Sequence, residues 1–425
     1  MTSIGGKLIR FLSESLSAIS NISISTVISL LKSSVILACL LILANCGYQS
    51  TPPIKVGILH SLTGTMAISE KALVDASLMA IEEINHHGGV LGRSLEPIVM
   101  DGASNWDQFA LEAEDLITQH QVSVIFGCWT SACRKAVKPV MEKYNHLLFY
   151  PLQYEGLEAS PNIVYTGAAP NQQIIPSVHW ALENVGEKIY LVGSDYVFPR
   201  TANMIIKDLL KNRGIQALGE TYLPLGSTEM ADVKTDIQQK KPNLIINTIN
   251  GDSNVAFFKS LPKDLKVKVM SYSIAETEVL SIGAELLQGH YAAWNYFQSI
   301  NTPENLEFVK RFKNKFGQER VINDPMEAAY SGVYLWAQAA QTAGSHLPVL
   351  VRTALGYQSM KAPHGVVSID KNTQHLWKTV RIGEIMKSGQ FEVVWSSGTS
   401  VRPAPFPSSY SKLEWLKRLE AIESP

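Results

Sequence analysis

The chain has 425 residues, 46% hydrophobic and 18% charged, enough apolar material for a large core and more than one globular unit. Thirty-seven basic residues against 38 acidic ones leave a formal net charge of -1, which provides no basic field for a nucleic acid backbone or an anionic membrane surface. This balance excludes a disordered chain and argues against any nucleic acid partner.

The amino end reads differently from the rest. Lys32 precedes an almost unbroken apolar run from Val35 to Ala44, shorter than the ~20 residues of a spanning helix. Charged flank, apolar core and following cysteine are laid out as in a secretory signal. Leu43-Ala-Asn-Cys46 resembles the bacterial lipoprotein cleavage box, which implies acylation of Cys46 and a chain anchored on the periplasmic side of the inner membrane. Asn45 stands where that box usually has a small residue, and a buried or inserted helix is the competing reading. Residues 1–46 are therefore assigned to an N-terminal extension with a lipoprotein-type signal, and residues 47–53, ending in Thr51-Pro-Pro53, to a linker.

From Ile54 the chain alternates. Ile54–Leu59 reads as a parallel strand, followed by the turn Ser61–Thr65 and a helix over Glu70–Ile84 with apolar positions at helical spacing. Strand Leu95–Met100, helix Phe109–Gln119, strand Ser123–Gly127, a helix from near Ala132 and strand Leu147–Tyr150 continue the series. Pro170 and its polar neighbours interrupt it. Lys188–Gly193, a helix over Ala202–Lys211 and Leu244–Ile249 begin a second series, and helices are predicted over Asn305–Phe316 and Met326–Ala340. Such alternation argues for mostly parallel sheets covered on both faces and for two domains.

Polar residues gather at the predicted strand exits: His60, Ser61 and Thr65; Asp101 and Ser104; Trp129, Thr130 and Ser131; Tyr150, Gln153 and Tyr154; Asp195, Tyr196 and Phe198; Asn250, Asp252 and Asn254. Ligands of parallel sheets bind beyond the carboxyl ends of strands, where such residues converge, although any one of them can instead cap the next helix. Trp129-Thr-Ser131 is richer than a cap needs, because hydroxyls and N–H groups at a helix start hold a carbonyl while an indole supplies a flat wall. Tyr196 and Phe198 either form the opposite wall or pack between lobes. His86-His87 lacks the spacing of a metal pair, and the scattered acids Glu155, Glu158, Asp195, Glu276 and Glu327 come with no nucleophile elbow. The glycines of Gly88–Gly92 follow a helix rather than open one, so they read as a turn and not as a dinucleotide fingerprint. Cys128 and Cys133, five residues apart, carry no strong disulfide or metal signature, and the spacing leaves their redox state open.

His60–Ser69, Phe126–Val137, Tyr150–Gly156, Val192–Arg200 and Asn250–Phe258, in this order, resemble the substrate-binding proteins of bacterial urea importers, from about Ile54 into Val401–Pro407. The related short-chain amide sensor is similar in the same stretches. The resemblance implies an α/β type I periplasmic-binding fold, two Rossmann-like lobes around a hinged ligand cleft. Lobe 1 would take residues 54–170 and 300–355, lobe 2 residues 171–299 and 356–400, and residues 401–425 would form a C-terminal tail. It also implies an extracytoplasmic receptor that captures urea or a closely related small amide and delivers it to the permease and ATPase subunits of an ABC importer, with no cofactor, no metal and no catalysis. Matching positions imply binding roles for Trp129, Ser131 and Tyr150 and, across the cleft, for Tyr196 and Phe198, with Asp195 and Glu327 at the pocket or its rim. Leu152 stands where the amide sensor has a hydroxyl residue, so that contact is not carried over. A short-chain amide receptor or an amide-responsive cytoplasmic regulator is the alternative.

Overall fold

Strand β1 (Ile54–His60) is buried along nearly its whole length, as its apolar run requires of a central parallel strand. It pairs in parallel with β2 (Leu95–Asp101) on one side and with β3 (Ile125–Gly127) on the other. Strands β4 (Leu148–Tyr150) and β5 (Ile163–Tyr165) complete a five-stranded sheet of order β2-β1-β3-β4-β5. The computed structural model describes residues 28, 29, 31, 32, 51–262 and 265–423, so the apolar run and Cys46 lie outside the described residues.

Helices α1 (Ala67–His86), α2 (Trp106–Thr118) and α3 (Ser131–Lys143) are the crossovers of this first lobe. Asn105 and Thr130 cap α2 and α3 by accepting from the N–H groups of Gln108 and Cys133, the expected use of short polar side chains at helix starts. Gly127 ends β3 where a Cβ would lie 2.2 Å from the Leu59 carbonyl oxygen, so only glycine lets the β1 and β3 exits approach this closely.

The second sheet has nine strands. β6 (Ile189–Ser194), β7 (Gly219–Leu223), β8 (Leu244–Thr248), β9 (Lys268–Ser271) and β10 (Tyr291–Trp294) pair in parallel in the order β7-β6-β8-β9-β10. Helix α4 (Ile174–Asn184) leads into β6, and helices α5 (Val197–Asn212), α6 (Ala231–Lys240), α7 (Ser253–Ser260), α8 (Glu276–Ile282) and α9 (Ala284–Leu287) connect the strands. Alternate residues bury to opposite faces: Tyr190 and Val192 enter one core, Ile189 and Leu191 the other.

The chain returns to the first lobe with α10 (Pro303–Phe316), α11 (Asp324–Ala343) and α12 (Pro348–Ala354). Asn323 caps α11, and its alanines let it pack closely against α1 in the first lobe's core. The hairpin β11 (Ser359–Ala362) and β12 (Gly365–Ile369) leads into the long antiparallel strands β13 (Leu376–Ile385) and β14 (Phe391–Val401), with β13 bonded to β10.

Two parts of the chain differ from the expected division. The hairpin, assigned to lobe 2, joins that lobe's sheet by backbone bonds yet buries Ala362, Val367 and Ile369 in the first lobe's core, so residues 356–370 bridge the lobes. Of the segment assigned as a C-terminal tail, residues 401–423 are described and pack on the second lobe. Helix α13 (Lys412–Glu423) buries Trp415 in the second lobe, with its indole N–H on the Pro407 carbonyl (2.7 Å), and Arg418 binds Asp208 of α5 (2.6 Å).

The crossings between lobes are tied to one another. Asp324 Oδ2 accepts from the N–H groups of Asn295 (3.0 Å) and Tyr296 (2.8 Å), the Asn295 amide donates to Gln172 and Thr379 carbonyls, and Lys378 donates to the Thr166 carbonyl (2.9 Å). Among the described residues no helix is long and apolar enough to cross a membrane, and no group of three or more His, Cys, Asp or Glu is placed to hold a metal ion.

Candidate ligand site

In an open parallel sheet, loops diverge where the strand order reverses and leave a crevice beyond the carboxyl ends of the strands. The first sheet reverses between β1 and β3, the second between β6 and β8. Their exits carry His60, Trp129, Tyr196 and Asn250, and the lobes meet here. Trp129 Nε1 donates to Asn250 Oδ1 (3.4 Å), Ser69 Oγ donates to Glu278 Oε1 (2.7 Å), and Thr65 Oγ1 bonds Asp252. Gly251 stands where a Cβ would come within 3.1 Å of Met66 and Thr65, and its φ of 67° is in the glycine-favoured region. Its lack of a side chain lets these walls close.

The first lobe's wall is the loop between β3 and α3. A disulfide joins Cys128 to Cys133, with Cα atoms 5.8 Å apart, and encloses Trp129, Thr130, Ser131 and Ala132. The Tyr150 hydroxyl donates to the Trp129 carbonyl (2.6 Å) and sets that residue's backbone. Ser131 Oγ donates to Glu155 and accepts from an Arg134 N–H (2.9 Å). Arg134, wholly enclosed, also binds Glu155 Oε1 and Glu158 Oε1, each at 2.9 Å, and lies over the rings of Tyr150 (5.1 Å) and Tyr154 (4.5 Å).

The electrostatics follow from this enclosure. Burial alone would lower the Arg134 guanidinium, but Glu158 and Glu155 outweigh it and hold the group well above its ordinary value. Burial likewise works against the charged form of Glu158, yet Arg134, with Lys135 and Lys138, brings it down to about 2. Tyr150 is raised, chiefly by burial. This wall therefore presents neutral hydroxyls above an internally compensated charge cluster.

Tyr196 opposes it from the second lobe. Burial raises its phenol well above the usual range, and Tyr150 and Glu155 push in the same direction. Asn250 Oδ1 also accepts from Ser273 Oγ (2.8 Å), and the Gln153 amide donates to the Tyr272 carbonyl (2.7 Å) and reaches Ser273 Oγ at 3.4 Å. Trp129, Asn250, Ser273 and Gln153 thus form one network across the seam.

Trp129 and Ser131 share the disulfide loop, to which the Tyr150 hydroxyl is bonded, and Tyr196 stands at the β6 exit of the second lobe. Phe198 is instead a core residue of the second lobe, packed with Ile174, Ala202 and Ile206, with its ring 6.5 Å from that of Tyr196. Asp195 is exposed and paired with Arg200 (2.6 Å) on the surface. Glu327 is buried in α11, where Ser331 donates to it (2.6 Å) and His364 Nδ1 lies at 2.7 Å; burial would raise its pKa, but His364 and Lys378 bring it below the usual value. These partners belong to the interlobe crossings, not to the Trp129 loop. Ser273 was missed because it follows β9, a four-residue strand with little periodic signal. Gln153 and Asn250 stood out in the sequence as strand-exit polar residues, but only the cross-lobe bonds distinguish them from caps.

The periplasmic binding protein domain matches residues 54–412, and the chain belongs to that family, a class that binds solutes without transforming them. The Leu/Ile/Val-binding protein homolog 6 of Brucella suis biovar 1 (strain 1330) is 21% identical over 350 residues, covering 79% of this chain and 88% of that protein. The solved solute binding protein of an ABC transporter from Rhodopseudomonas palustris HaA2, in complex with p-hydroxybenzoic acid, matches with a TM-score of 0.75 at 22% identity, covering 84% of this chain and 100% of that one. A stretch of 124 residues, 29% of this chain, is 35% identical to a limonene hydroxylase of Geobacillus stearothermophilus. There the match spans 23% of the relative's length, and no activity is carried over from it.

Proposed function

We propose that the protein is the urea-capturing receptor of an ABC importer, working on the outer side of the cytoplasmic membrane. The observation that carries this reading is the contact of the two lobes on several sides of the Trp129–Tyr196 site, through the Trp129–Asn250, Ser69–Glu278 and Gln153–Tyr272 bonds. Walls within hydrogen-bond reach of one another would limit a solute between them to a few heavy atoms. Urea is planar, with one carbonyl and two amino groups, and suits hydroxyls flanked by aromatic faces.

Charge separates this reading from the ligands named for the relatives. A buried cation would favour a carboxylate solute, whereas Arg134, beneath the site, is taken by Glu155 and Glu158, which leaves only the backbone N–H groups of the helix start to hold such a charge. A neutral solute fits such a cluster. The Cys128–Cys133 disulfide supports an oxidising compartment, hence an extracytoplasmic receptor rather than a cytoplasmic regulator, and the cleavage-box resemblance of Leu43–Cys46 supports anchoring through Cys46. A lobe pair that closes on its ligand offers the permease and ATPase subunits a state to recognise.

Isothermal titration of the purified chain with urea, acetamide, leucine and p-hydroxybenzoate tests this. Saturable urea binding is expected, weakened about tenfold or more in Trp129→Ala and Tyr196→Ala. Binding of leucine or p-hydroxybenzoate with no response to urea overturns the reading.

A further inference from the structure

Glu70 sits in the first turn of α1 and is wholly buried, yet only one of its two carboxyl oxygens is used. Oε2 accepts the Ser61 backbone N–H (2.8 Å) and lies 3.2 Å from His60 Nδ1, which as a donor fixes the carboxyl's orientation. Among the described residues Oε1 has no hydrogen-bond partner, and neither has the buried His60 Nε2. Leaving such an acceptor unpaired is costly, so an orphan here calls for a partner that arrives later.

Its position says where that partner arrives. His60 ends β1 at the sheet's reversal, and Ser69, the residue before Glu70, is bonded to Glu278 of the second lobe (2.7 Å). The first turn of α1 therefore lies on the seam.

We propose that Glu70 is a specificity-determining residue of the cleft, whose Oε1 accepts from the second amino group of urea, the group that acetamide replaces with a methyl. This rests on the urea reading above. Ser131 and Tyr150 already give their hydroxyl protons to Glu155 and the Trp129 carbonyl and offer lone pairs, while the Tyr196 hydroxyl can donate or accept, so together they serve any carboxamide. A carboxylate oxygen only accepts, and a methyl opposite it leaves it unpaired and dry. Sites that bond a substrate N–H reject an analogue lacking it far more strongly than apolar pockets sort by size. His60 acts through Glu70 as a positioning residue.

The test is titration of the wild-type chain and Glu70→Gln with urea and with acetamide. The wild type is expected to prefer urea by at least about tenfold. Glu70→Gln should lose at least about tenfold in urea affinity and change by less than about threefold toward acetamide. Equal wild-type affinities for the two ligands overturn the proposal without any variant, so it stays testable should Glu70→Gln fold poorly. An unchanged urea affinity in the variant, or equal losses for both ligands, also overturns it while leaving the urea reading in place. A wild-type chain that binds neither ligand overturns both.

Discussion

Arg134 shows how much of the site depends on one side chain that need not touch the solute. It holds Glu155 and Glu158, both buried, orients Ser131, and lies under two tyrosine rings. Removing one partner of a buried ion cluster costs roughly 3–5 kcal/mol, because the remaining charges stay buried without compensation. Arg134→Met should lose stability on that scale, measured by guanidinium chloride unfolding, since urea is the proposed ligand. A midpoint within experimental error of the wild type would show that the cluster relaxes into water instead. The sequence contained Arg134 inside a recognisable stretch but gave no sign of its role. Its acids lie 21 and 24 positions along the chain on a segment without regular structure, so no periodicity links them. Glu327 and Asp195 illustrate the converse: both carboxyls stood out, but their charges are spent on His364 and Arg200.

Among elements, the loop from Cys128 to Cys133 bears most directly on binding, because its cross-link encloses Trp129 and Ser131. Closing so short a ring stabilises the fold by about 2 kcal/mol in the chain-entropy picture. The double variant Cys128→Ser, Cys133→Ser should unfold at lower guanidinium chloride by about that amount and bind urea more weakly, since the indole and hydroxyl lose a shared tether. Equal urea affinity in the double variant would mean that the Tyr150 bond to Trp129 positions the loop unaided. Legibility varied in the same physical way. Strands β1, β6 and β8 are continuous apolar runs buried on both faces, and α11 carries helical spacing over 20 residues, so local pattern sufficed. Strand β14, FEVVWSSGTSV, is largely exposed and held by pairing with β13, and β13 finds β10 only across some 90 residues of chain. Helix α13 has a weakly amphipathic sequence and depends on Trp415 entering a core built elsewhere. Such elements are specified by tertiary partners and leave little local trace.

At the scale of the whole molecule, the seam between lobes carries titratable groups whose burial links stability to pH. Glu276 opens α8 and accepts the Gln298 N–H (2.7 Å), while its other oxygen is buried without a partner. Burial raises it from 4.5 to about 8, and Asp324 and Glu278 add to the rise. The folded chain thus keeps a proton that the unfolded chain releases above 4.5, so this contribution to stability is fully present below that value and is lost as pH rises through about 8. His375 and His290 act on the acid side. Burial lowers them to about 3 and about 4, so the unfolded chain takes up protons below 6.5 that the folded chain refuses, and stability falls with pH there. Glu276→Gln keeps the shape and removes the alkaline term. Unfolding free energies of both chains from pH 5 to 9 should therefore diverge, with the variant gaining on the wild type by on the order of a few kcal/mol at the alkaline end. Parallel curves would place the Glu276 proton in solvent contact and make the seam a wetter joint than its packing indicates. Divergence that widens when urea is bound would instead tie the same carboxyl to lobe opening, because a ligand that holds the lobes closed keeps Glu276 protonated in the folded chain while the unfolded chain still releases its proton.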